Sequence, residues 1–297
     1  MGGKEKLPLI IRVETAKSGA TPDDTFRIPA NAPGEIYRYK VDWGDGVVTS
    51  GHTGIAEHTY LTRGIFDIKI YGRFPRFYFN ETGDRLKLLE VLDWGEIKYS
   101  TNQTSAFNGC NNLTSIAEDV KGWYNGITEG ASMFRTVPLL AIPDNMLLTA
   151  LVSGQFMFAT NVHQGLQSLP NGMTLSNLTN GNAMFYVASG VGNLSSLPSS
   201  MTLSNMTNGN AMFQSNPITS AIGLNLHKIN TGTLFMNAAN LPVSQYSNIL
   251  VDIEANNPNN GVTIVFGSSK YNATGQVARN ILTSAPRSWA IGDGGLE

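Results

Sequence analysis

The sequence predicts a mainly β protein with short helices: an N-terminal β-sandwich, a solenoid of repeats and a small α/β C-terminal cap. Three observations predict it. Residues 7–79 alternate apolar and polar in short runs bounded by Gly, Pro, Asn and Asp. The middle of the 297-residue chain repeats itself at intervals of 22 to 28 residues. Charge is unevenly spread: residues 1–100 hold 14 basic and 14 acidic side chains, whereas Lys228 is the single formal charge from Asn145 to Val251. These observations place domains at 1–79, 80–240 and 241–297.

In the first domain, LPLIIRVET, EIYRYKVDW, FDIKIYGRF and FYF read as strands, with period-2 alternation clear over 36–41 and 66–70. Six or seven antiparallel strands are expected. Gly44 and Gly46 suit a tight turn because they tolerate positive φ, and Asp42 and Asp45 can accept backbone N–H groups there. VDWGDG (41–46), HTY (58–60), Gly64 and FDIKI (66–70) resemble the PKD family of immunoglobulin-like sandwiches. The resemblance singles out Asp42, Trp43, Gly44, Asp45, Gly46, His58 and Tyr60. It implies a strand, a tight turn and a later strand reached through His-Thr-Tyr, in a spacer or binding module without catalysis.

In the middle, LPNGMTLSNLTNGNAMF (169–185) and LPSSMTLSNMTNGNAMF (197–213) share 14 of 17 positions. Weaker copies end on the same anchor, giving Phe107, Phe134, Phe158, Phe185, Phe213 and Phe235. A fixed period with Leu and Asn punctuation means a leucine-rich-repeat-like solenoid, each unit stacking on its neighbours and burying Leu, Met and Phe. Within that class AFNGCNNLTSI (106–116) resembles the BspA-type repeats of bacterial surface and phage proteins, which implies a short strand after the Asn-Leu-Thr-Ser stretch.

Residues 80–100 read as the N-terminal cap, with Leu86, Leu88, Leu89, Val91 and Leu92 inward and Asp84, Arg85, Lys87 and Glu90 toward water. At the other end, helical spacing runs from Pro242 to Ala255 (Tyr246, Ile249, Leu250, Ile253), VTIVF is a strand, and a second helix covers about 274–283. Val277, Ala278, Ile281 and Leu282 are expected on its inner face, and SWAIGDGG closes on a strand. The arrangement is similar to the ends of many phage fibre and repeat-adhesin chains.

No catalytic or metal site and no cofactor is expected. His52 and His58 flank a sandwich loop beside Glu57, while His163 and His227 lie in different repeats with no carboxylate nearby in sequence. Cys110 occupies a core slot and has no His in register. Asp42 and Asp45 lack the further ligands of a calcium loop. Glycan hydrolysis needs two carboxylates, and residues 145–251 contain none; Glu118, Asp119, Glu129 and Asp144 pair only across the first repeats. NGITEG and GVGN lack the helix context of a phosphate loop. The repeat Asn, Ser and Thr offer donors and acceptors to a glycan, and equally to turn caps and ladders between coils.

Net charge is −2, which gives no basic footprint for nucleic acid. No apolar run of about 18 residues exists to insert in a membrane. The start MGGKEKLPLII has no full signal-peptide h-region, and its Met-Gly-Gly is expected to be held within an assembly. The expected function is a non-enzymatic bacteriophage virion structural protein at the virion surface, a fibre or fibre-like appendage. The sandwich attaches it to the particle, and the repeats contact host surface glycan or protein. Its partners are other virion proteins and itself, as a homotrimer. The alternatives are a bacterial cell-surface adhesin with the same modules, then a glycan-cleaving enzyme.

Overall fold

The computed structural model describes residues 6–160 and 165–297. The Met-Gly-Gly start and His163 lie outside the described residues. Strands dominate: ten strands and two α-helices occur among the described residues, so the protein is mainly β. It divides into two compact units, Met1–Trp123 with Ser132–Leu139, and Tyr124–Ala131 with Leu140–Glu297.

In the first unit, β1 (Leu9–Glu14), β3 (Arg38–Asp42), β4 (Val48–His52), β6 (Ile65–Arg73), β7 (Leu88–Asp93) and β8 (Ser115–Ile116) form one sheet in the order β4-β3-β6-β1-β7-β8. A second sheet pairs β2 (Thr25–Ile28) with β5 (Ala56–Thr59). All pairings are antiparallel except β7 with β8. Alternation sets the faces: Tyr37, Tyr39, Val41 and Trp43 are buried, and Arg38, Lys40 and Asp42 point outward. Leu9, Ile11, Val13, Ile68 and Ile70 complete the inner face. β8 closes the Asn-Leu-Thr-Ser segment, where the short strand was expected.

Two expectations for this unit are corrected. Phe77–Phe79 is not a strand. Pro75 removes a ladder donor, and the backbone binds scattered partners instead, with Tyr78 N–H donating to the Pro29 carbonyl and Phe79 N–H to that of Ala106. Within residues 80–100, expected to cap the repeats, Leu88–Asp93 pairs with β1 through two register shifts. Asp84 and Lys87 do not face water but are 1% and 0% exposed. Asp84 accepts from Thr21 N–H, Thr21 Oγ1 and Arg27 N–H, and Lys87 Nζ donates to Thr21, Pro22 and Thr25 carbonyls and to Thr21 Oγ1. Buried charge is tolerated where every polar atom finds such partners.

In the second unit, single parallel bridges succeed one another: Glu129 with Ser153, Ser153 with Asn180, Asn180 with Asn208, Asn208 with Thr231, and Gly232 with Ile264. α1 (Val243–Asn256) buries Tyr246, Ile249, Leu250 and Ile253 as their spacing predicts. β9 (Thr263–Val265) pairs in parallel with β10 (Ala290–Gly292). α2 (Ala273–Thr283) is capped by Asn272, whose Oδ1 accepts from Thr274 and Gly275 N–H. Its inner face is Gly275, Ala278 and Leu282, while Val277 and Ile281 are exposed. The reason is proximity: a Cβ on Gly275 would lie 2.9 Å from Ser247 Oγ and 3.0 Å from its Cα on α1, so the small residues define the contact.

Candidate functional site

The first cluster is the one singled out from the sequence around β3 and β5. The Asp42 carboxylate accepts from Gly44 N–H at 3.1 Å, and Asp45 from Val47 N–H at 3.0 Å, which closes the turn. Gly44 (φ 84°) must be glycine because a Cβ would stand 2.7 Å from the Asp67 carbonyl oxygen. Gly46 (φ 91°) has open space and is set by its dihedral alone. The other Asp45 oxygen meets His58 Nε2 at 2.8 Å. The His58 ring stacks on Trp43 at 5.1 Å, and Tyr60 donates its hydroxyl to the Trp43 carbonyl at 3.0 Å. All seven residues thus meet, and their bonds tie the two-stranded sheet to the β3 turn. Burial raises the Asp45 carboxyl, but the His58 bond and the Val47 N–H outweigh it and hold it below the ordinary carboxylate range. Asp42 is turned to Lys69 at 3.3 Å. Among the described residues, no group of three or more His, Cys, Asp or Glu is placed to hold a metal.

The repeat anchors form the second candidate. All six phenylalanines are buried. In the first unit Phe107 and Phe134 stack at 5.4 Å and 3°. In the second, Phe158–Phe185 and Phe185–Phe213 stack at 5.6 and 5.3 Å, both at 5°, before Phe213–Phe235 turns edge to face. Phe266 continues the contact at 6.0 Å from Phe235, an anchor missed in the sequence because the intervening helix stretches the spacing. Each of Ser105, Ser132, Phe156, Ala183 and Ala211, two positions before its anchor, has φ between 53° and 57°.

The polar residues of the repeats are engaged with neighbouring turns. Gly154, Gly181 and Gly209 N–H donate to the carbonyls of Asn180, Asn208 and Thr231. Asn177 Nδ2 reaches the Thr149 carbonyl at 2.8 Å and Asn205 Nδ2 that of Ser176 at 2.7 Å. Thr179 and Thr207 hydroxyls donate to the Val152 and Thr179 carbonyls. Asn125 and Asn225 accept from the N–H groups of Leu148 and Leu203. Even Lys228 donates to Asn205 Oδ1. Of the two roles open to these side chains, the ladder between turns is the one their bonds fill.

Two nucleophile or acid–base candidates remain. Cys110 is fully buried, and desolvation pushes its thiol well up despite the positive charge of Arg85. His227 does have a carboxylate: α1 brings Asp252 to 3.0 Å of its Nε2, a pairing hidden by a separation of 25 positions in the sequence. The cleft beside it, about 330 Å³, is lined by Asn225, Gln245 and Asn248 among others and presents no Ser, Thr or Cys for the pair to activate. Compared with family models, curated proteins and solved structures, the chain matches none.

Proposed function

We propose that this chain is a non-enzymatic bacteriophage virion structural protein, a fibre or fibre-like appendage. In this reading 1–79 is a PKD-like sandwich, 80–240 a leucine-rich-repeat-like solenoid and 241–297 its α/β cap. The observation that carries it is the use of the repeats' polar groups. Asn, Thr and glycine N–H atoms hold one turn to the next, which is the economy of a scaffold. The low charge of residues 145–251 leaves little repulsion between copies, which supports self-association as a homotrimer. Its other partners are virion proteins and a host surface glycan or protein.

Immunogold labelling with an antibody raised against residues 7–79 tests the reading. Gold on phage particles is expected. Gold on bacterial envelopes with bare particles overturns it in favour of a surface adhesin.

A further inference from the structure

The outward face of the six-stranded sheet carries a row of charges with ion pairs at one end, while at the other, among the described residues, two arginines have none. Along β3, β6, β1 and β7, Asp42 pairs with Lys69 at 3.3 Å, Asp67 with Arg12 at 2.8 Å, and Arg12 with Glu90 at 3.6 Å. One step on from the Asp42–Lys69 pair, Lys40 lies opposite Tyr71, its ammonium 4.6 Å from the ring centroid. At the next step Arg38 faces Arg73 directly across the antiparallel pairing, both exposed. Among the described residues neither guanidinium makes a hydrogen bond or ion pair, and like charges directly opposite destabilise a sheet.

Both arginines open onto concave surface. A cleft of about 610 Å³ is lined by Lys6, Arg38, Lys40, His52 and Tyr71 among others. A second, of about 590 Å³, shares Lys6 and Gly72 with it and adds Arg73, Lys98 and Tyr99. The carboxylates at the rim are turned elsewhere, Glu35 to Arg76 at 3.8 Å and Glu96 to Lys121 at 3.0 Å. Burial holds the His52 imidazole below the ordinary histidine range, so the cationic groups lining the clefts are arginines and lysines.

We infer that this double cleft binds an acidic glycan, with Arg38 and Arg73 gripping a carboxylate-bearing sugar unit. A guanidinium binds a carboxylate through two parallel N–H bonds, Tyr71 and Tyr99 offer apolar surface to the sugar rings, and the volume is that of a small-ligand site. A duplex nucleic acid is contacted by protruding elements rather than taken into a pocket. The inference deepens the proposed host contact and moves it from the repeats, whose polar groups serve the ladder, to the first unit.

Titration calorimetry of the full chain at low salt tests it, with trigalacturonate as probe. Maltotriose, inorganic phosphate and a short oligothymidylate are the comparisons. Trigalacturonate is expected to bind and maltotriose not. The double variant Arg38→Glu/Arg73→Glu is expected to weaken binding at least tenfold, and Lys270→Glu to leave it unchanged. Should the reversal unfold the chain, Arg38→Gln/Arg73→Gln carries the same expectation. No trigalacturonate binding, equal loss in Lys270→Glu, or oligothymidylate or phosphate bound as tightly overturns the assignment. Particle labelling reads a separate property, so the virion reading and this one fail independently.

Discussion

Lys87 shows how far a residue's role can lie from its sequence context. Its ammonium donates to three carbonyls and one hydroxyl between residues 21 and 25, more than sixty positions away. Among its neighbours Leu86, Leu88 and Leu89 it reads as a solvated charge, because nothing local announces the loop that folds over it. Lys87→Met leaves those oxygens without their donor and is expected to cost about 3 kcal/mol in urea denaturation; a loss under about 1 kcal/mol contradicts the bonding described. Asp45 is the opposite case. Its Gly-Asp-Gly turn was legible, since the dihedrals and the acceptors are local. Because its native carboxyl lies below the ordinary range, the unfolded chain binds the proton more readily. Its stabilisation is therefore complete above about pH 4 and is lost as pH falls through the lower native value. Asp45→Asn is expected to flatten the acid-side decline of the melting temperature, and an unchanged slope counts against the His58–Asp45 bond.

Among elements, the repeats were the most legible because each copy restates the same local signal. Phe107, Phe134, Phe158, Phe185, Phe213 and Phe235 are all buried. The left-handed residue two positions before five of them was not foreseen, since Ser, Ala and Phe do not advertise positive φ as glycine does. Phe185 lies parallel to both neighbours, so Phe185→Ala is expected to cost about 4 kcal/mol, seen as a lower urea midpoint. At Ala183 (φ 53°) glycine relieves a left-handed Cβ, and Ala183→Gly is expected to add about 0.5 kcal/mol. A destabilised Ala183→Gly variant contradicts that conformation. α2 shows where periodicity falls short. It located the helix but chose Val277 and Ile281 for the inside, whereas the approach to Ser247 requires Gly275 and Ala278. Contact distance between two helices is a property of the pair, invisible in either stripe alone.

For the whole molecule, the uneven charge has two different physical meanings. In the first unit Asp42–Lys69, Arg12–Asp67 and Arg12–Glu90 pair across the sheet, which leaves a gap where Arg38 meets Arg73, neither of which makes an ion pair among the described residues. Composition could not reveal that gap, because the arginines are 35 residues apart and net charge averages them with the rest. In residues 145–251 the near-absence of charge goes with uncharged ladders, and it leaves flanks that copies can share without repulsion. In the proposed reading, self-assembly is the property that joins the repeat packing to a structural role in a particle. Multi-angle light scattering on the full 32.0 kDa chain at micromolar concentration tests it most directly. A single species of about 96 kDa, three chains of 32.0 kDa, is the predicted result, and a monodisperse 32.0 kDa monomer contradicts it.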